Sequence, residues 1–98
     1  MENYIGKKCI VRCDRSGVFF GTIAEMEDQR ARIANVRNLW WWEGAASVMQ
    51  LAAEGTRAPY ECKFTVTVSE IVVTDVIQII PCTDEAIANL EAVKPWKM

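Results

Sequence analysis

The alternation of apolar and polar positions divides the chain into short extended runs and two helical stretches. From Lys7 to Cys13, residues Cys9, Val11 and Cys13 share one parity and Lys8, Ile10 and Arg12 the other. The run therefore reads as a strand with one mainly buried face. Asp14-Arg15-Ser16-Gly17 follows with turn chemistry, since Asp and Ser can bond nearby backbone and Gly17 can take positive φ. A hairpin is expected, returning through Val18 to Glu25, with Gly21 marking a bulge or a close approach to the backbone. After the polar break Glu27-Asp28-Gln29, a third strand starts near Arg30. Its parity slips, because Ala31 and Ile33 fall on one face and Val36, Trp40 and Trp42 on the other. A bulge or bend at Asn35-Val36-Arg37-Asn38 is the expected cause.

Three of the four tryptophans follow one another at Trp40, Trp41 and Trp42. Successive strand side chains point to opposite faces, so at least one ring must face away from the local core. Such a ring either packs under the next helix or a partner subunit, or lines a ligand pocket. Gly44 to Glu54 reads as that helix, with Ala45, Val48, Met49, Leu51 and Ala52 as its apolar stripe and Gly55 as its C-terminal cap.

Thr56 to Lys63 is polar, contains Pro59 and reads as an irregular loop. Phe64 to Val68 alternates cleanly and predicts a strand apolar at 64, 66 and 68. Ile71 to Val73 and Val76 to Ile80 are uniformly apolar, which predicts strands covered on both faces. Thr83, Asp84 and Glu85 form a helix start, with Ile87, Leu90 and Val93 as the stripe. Pro95 closes that helix and leaves Trp96 to fold back or dock elsewhere. The pattern gives one α+β domain over residues 1–98, with a single core: a twisted, mainly antiparallel sheet or partly open barrel of five to six strands with two short helices.

Charge and composition narrow the function. The net charge of -2 gives no electrostatic reason to bind duplex DNA or an anionic membrane. No apolar run approaches the roughly 18 residues needed to span a bilayer, and the start MENYIGKK lacks a signal-peptide core, so a cytoplasmic protein is expected. Cys9 and Cys13 on one strand would lie roughly 13 Å apart, too far to bridge or to share a metal. With no histidine and no paired-cysteine motif, neither metal nor cofactor is expected, and reduced buried thiols are. Histidine is the commonest catalytic base, and no phosphate loop or dinucleotide fingerprint occurs, so the chain is not expected to be an enzyme.

A binding site is expected where Arg12 or Arg15, Arg37, Asn38 and Trp40, Trp41 and Trp42 converge beside the first hairpin. A guanidinium pairs with phosphate, an amide reads a base or sugar edge, and an aromatic face stacks. An anionic, nucleotide-like molecule would use all three. The alternative is that Arg37 is a solvated charge and the rings belong to the core or an interface. The twin apolar runs near residues 71–80 and the tryptophan excess also predict a homo-oligomer.

The stretches CDRSGVFFGTI, NVRNLWWWEGAASVMQLAAEGT, CKFTVTV and IQIIPCTDEAIANLEAVKPW, taken in order, resemble a family of small phage and prophage proteins carried as a domain of unknown function. The resemblance implies a protein acting in the cytoplasm of an infected bacterial host, and transfers no catalytic residues. By analogy it points to an accessory protein that sequesters a host small molecule, such as a nucleotide signal, to counter host defence. A protein-protein module, either an inhibitor of a host enzyme or a minor structural component, is the alternative, and single-stranded nucleic-acid binding by tryptophan stacking is the second.

Overall fold

The computed structural model describes residues 2–98. Its strands are β1 (Lys8–Cys13), β2 (Val18–Glu27), β3 (Arg30–Trp41), β4 (Lys63–Phe64), β5 (Val68–Val73) and β6 (Val76–Pro81). Its helices are α1 (Val48–Glu54) and α2 (Asp84–Ala92), with single 3-10 turns at Glu2–Tyr4 and Pro59–Glu61. All six strands pair antiparallel in the order β4-β3-β2-β1-β6, and β5 lies beside β4 along the same edge of β3. The fold is α+β, as the pattern of the sequence predicts.

The connection between β5 and β6 explains the curvature of the sheet. These strands lie on opposite edges, which in a flat sheet would be about 19 Å apart. Yet Thr74 and Asp75 alone join them, a reach of at most about 11 Å. The sheet must curl, and since no ladder joins β5 to β6 it stays open.

Curling divides the buried residues into two clusters instead of the single expected core. Cys9, Val11, Ile23, Ile33, Val73 and Val76 meet on the concave side, where both edges contribute. Ile10, Phe20, Leu39, Leu51, Phe64 and Leu90 meet on the other side, beneath α1 and α2. Ile10 is fully buried, so β1 is covered on both faces at its middle and not on one alone. Burying these side chains stabilises the fold by about 1.5–3 kcal/mol each before the entropy of ordering them is subtracted.

The local expectations for the first three strands hold. Gly17 has φ +117° in the β1–β2 turn. A Cβ on Gly21 would stand 2.7 Å from the Ile33 side chain, which explains why no side chain is present there. The predicted bend falls at Asn35, with φ +47° and an extra β3 residue opposite Gly21.

Elsewhere the structure corrects the sequence pattern. Helix α1 starts at Val48 rather than Gly44, because Ser47 accepts from the Gln50 N–H as its cap and Gly44, at φ +79°, packs against the 56–58 backbone. The Phe64–Val68 strand is broken. Phe64 pairs with Leu39 and Val68 with Val36, which leaves one residue too many for a continuous ladder. Val66 and Val68 are consequently exposed despite their alternation. Nor are β5 and β6 covered on both faces: Val73 and Val76 are buried, whereas Val72 and Ile77 are about half exposed.

Candidate functional site

The tryptophan run separates its rings as strand geometry requires. Trp40 and Trp41 stand 58% and 50% exposed, while Trp42 packs half-buried against the cluster beneath the helices. Leu39 pairs with Phe64 and Trp41 with Lys63, so Trp40 is the extra residue of a bulge and its ring turns outward. Trp96 returns from beyond α2 and stacks on it, with centroids 5.0 Å apart and planes inclined by 21°. The Trp96 N–H donates to the Phe64 carbonyl at 2.8 Å. The Lys63 ammonium lies 5.6 Å from the Trp40 ring centre and 5.5 Å from that of Trp96. Among the described residues no carboxylate comes within ion-pair distance of Lys63. The result is a half-exposed aromatic platform with a cation that has no carboxylate partner.

Arg37 takes no part in that surface. It is 5% exposed and faces the helices, with Nε 3.0 Å from the Thr65 carbonyl and Nη1 3.0 and 2.9 Å from those of Leu90 and Val93. Nη2 reaches the Phe64 carbonyl at 3.4 Å, and the guanidinium lies over the Phe64 ring. Burial lowers its pKa. Every partner is a carbonyl, and two lie at the C-terminal end of α2, where the helix dipole favours a cation. This guanidinium is neither solvated nor free for an anion; it ties α2 to the sheet.

Asn38 follows Arg37 in β3 and therefore points to the other face. Its amide approaches Gly17, so it does lie beside the first hairpin, and its backbone bonds Thr65. Arg12 donates to Gln78 on β6 at 2.8 Å. Arg15 is exposed in the first turn, and its backbone N–H bonds Asp75. The seven candidates thus do not form one pocket, and none lines the hollow of about 540 Å³ beside Glu25 and Arg32 or that of about 470 Å³ beside Tyr60. Trp40 and Trp41 remain as surface groups. Lys63 and Trp96 were missed because their approach to Trp40 depends on the β3–β4 register and on where the chain runs after Pro95.

Three of the four thiols are shifted away from the thiolate form. Burial pushes Cys9 up, Cys13 to about 11 and Cys82 to about 12, with the Asp75 charge adding to the rise at Cys13.

An open, curled antiparallel sheet with two helices on its convex side and an aromatic platform at one edge is the class of protein these features define. The chain belongs to the family described as a domain of unknown function (DUF6948), whose model matches residues 6–90. No curated protein and no solved structure matches it. No helix among the described residues is long and apolar enough to cross a membrane.

Proposed function

We propose that the protein acts by binding and not by catalysis, through the face formed by Trp40, Trp41, Trp96 and Lys63. The carrying observation is that three tryptophans stand about half exposed together with a cation that has no carboxylate partner. Tryptophan is enriched among the residues that dominate protein interfaces, and water gains little from contact with such rings. The absence of histidine and the raised thiols support a non-catalytic role.

None of these four residues lines either hollow, which favours a macromolecular partner over an enclosed small molecule, because small-molecule pockets bury most of their ligand's surface. The protein-protein reading therefore moves ahead of sequestration. Sequestration of a nucleotide-like anion remains the second reading, since Lys63 beside stacked rings offers charge and stacking together. It requires a second copy to close the platform into a pocket, consistent with a homo-oligomer whose exposed Val68, Val72 and Ile77 supply further apolar surface. The resemblance to phage and prophage proteins supports an accessory role in the cytoplasm of an infected host, countering its defences.

Native mass spectrometry of the full chain purified from infected cells tests the reading. Wild type should carry a partner that Trp41→Ala/Lys63→Ala loses while staying folded, and a bound protein or a released small molecule distinguishes the two readings. Equal retention by both forms would place the binding face elsewhere.

A further inference from the structure

The C-terminal residues Lys94 to Met98 form a strap across the platform. Its root is fixed, because Val93 is buried and its carbonyl accepts from Arg37. Beyond that point, Pro95 has no N–H to donate, and among the described residues the strap makes one backbone hydrogen bond, from Trp96 to the Phe64 carbonyl. Lys94, Pro95, Lys97 and Met98 are exposed. Trp96 anchors the strap through that bond, the stack on Trp40 and the Lys63 ammonium over its ring.

What Trp96 occupies is a seat with defined chemistry: an acceptor carbonyl at a strand edge, an indole face, and an ammonium 5.5 Å from the occupant's ring. An extended segment bearing one aromatic side chain satisfies the first two, as strand addition at a sheet edge generally does. The Trp96 ring meets the third as well, since the Lys63 ammonium lies over it. The strap carries lysines at positions 94 and 97 and no acidic side chain to compensate Lys63. A segment with carboxylates in those two positions supplies the attraction to Lys63 that the strap lacks.

We propose that the Trp96 seat is a competitive docking site. An extended, acidic segment of a partner protein, carrying an aromatic residue, displaces the strap, bonds the Phe64 carbonyl and stacks on Trp40 beside Lys63. This rests on the binding face proposed above, with Trp40, Trp41 and Lys63 as its fixed part and Trp96 as the group that gives way, and it names the partner's chemistry. The strap then acts as an internal competitor, so apparent affinity falls by the fraction of time the seat is filled.

The test uses the full chain and a charge-reversed copy of its own strap, the blocked peptide Asp-Pro-Trp-Asp-Met, followed by NMR at the indole N–H groups and the Phe64 and Thr65 amides. The peptide should bind Trp96→Ala at least fivefold more tightly than wild type, and at least fivefold more tightly than Lys-Pro-Trp-Lys-Met. Lys94→Glu/Lys97→Glu, whose acidified strap fits its own seat better, should bind it several-fold more weakly than wild type and keeps the proposal testable should Trp96→Ala unfold. Equal affinity for wild type and Trp96→Ala, with shifts at Trp41, overturns the strap while leaving the binding face standing. Absence of binding to every form, retention of affinity when alanine replaces the peptide's tryptophan, or a preference for oligothymidylate over both peptides also overturns it. In the first of these cases the purified-complex experiment decides the broader reading separately.

Discussion

The Arg37 guanidinium donates at 2.9 Å to the carbonyl of Val93, so a β3 side chain holds the point where α2 ends and the C-terminal strap begins. Arg37→Ala leaves the Leu90, Val93 and Thr65 carbonyls short of a donor, while the Phe64 carbonyl keeps the Trp96 N–H. An unsatisfied buried group costs about 1–3 kcal/mol, and with partial rehydration the substitution should destabilise by about 3 kcal/mol or more. Arg37→Lys keeps the charge but not the planar fork and should lose roughly half as much. Urea denaturation of the three forms measures both. A loss within about 0.5 kcal/mol for Arg37→Ala would mark it as a surface charge.

That outcome also bears on what the sequence could reveal. The positions of the first three strands, the first turn, the Asn35 bend and the Gly55 helix stop rest on rules that act over a few residues, and the structure agrees with them. Arg37 looked available because its partners lie 27 to 56 residues away. No local pattern records a cation that will face helix-end carbonyls. The alternation from Phe64 to Val68 misled for a related reason: parity predicts a shared face but not whether anything covers it, and Val66 and Val68 meet solvent. The platform was half read. Strand geometry demands that a tryptophan face outward, whereas Lys63 and Trp96 arrive through register and chain return.

The Trp40–Trp96 stack should be visible as a coupled pair. Two indoles 5.0 Å apart give an exciton couplet in far-ultraviolet circular dichroism. Trp40→Ala and Trp96→Ala should each abolish it, whereas Trp41→Ala should preserve it. Because both rings are about half exposed, either loss should cost about 0.5–1.5 kcal/mol and leave the fold intact. Persistence of the couplet in Trp96→Ala would assign it to neighbouring rings of the run.

The thiols should be slow to react in the native state. Cys9, Cys13 and Cys62 are buried and Cys82 half-buried, and burial keeps the Cys9, Cys13 and Cys82 thiols protonated at neutral pH. Thiolate is the reactive form, so iodoacetamide at pH 8 should modify the folded chain at least about tenfold more slowly than the chain in denaturant. Rapid loss of one thiol from native protein would contradict this placement.

Asp75 links two of these themes, because its carboxylate from the β5–β6 connection organises the β1–β2 turn. Oδ2 accepts from the Arg15 and Ser16 N–H groups at 2.6 and 2.9 Å, and Oδ1 accepts from the Ser16 hydroxyl at 2.7 Å. The Ser16 hydroxyl and then the two backbone donors hold its pKa down to about 2, below the usual carboxylate value. A carboxylate lowered by folding stabilises above its unfolded pKa, and that contribution fades as pH falls from near 4 towards 2. Asp75→Asn should therefore unfold at lower urea than wild type at pH 7, with the gap narrowing at pH 3 and closing near pH 2. The same change removes a negative charge beside Cys13, whose thiol is raised first by burial and then by Asp75. In Asp75→Asn the Cys13 pKa should fall part of the way from about 11 towards its ordinary value of 9.0. Alkylation of Cys13, followed by peptide mapping from pH 8 to 10, reads this independently of stability, provided unfolding is slow under the conditions used. A constant urea gap from pH 7 to pH 2, with Cys13 reactivity unchanged, would mean that the carboxylate does not hold the turn.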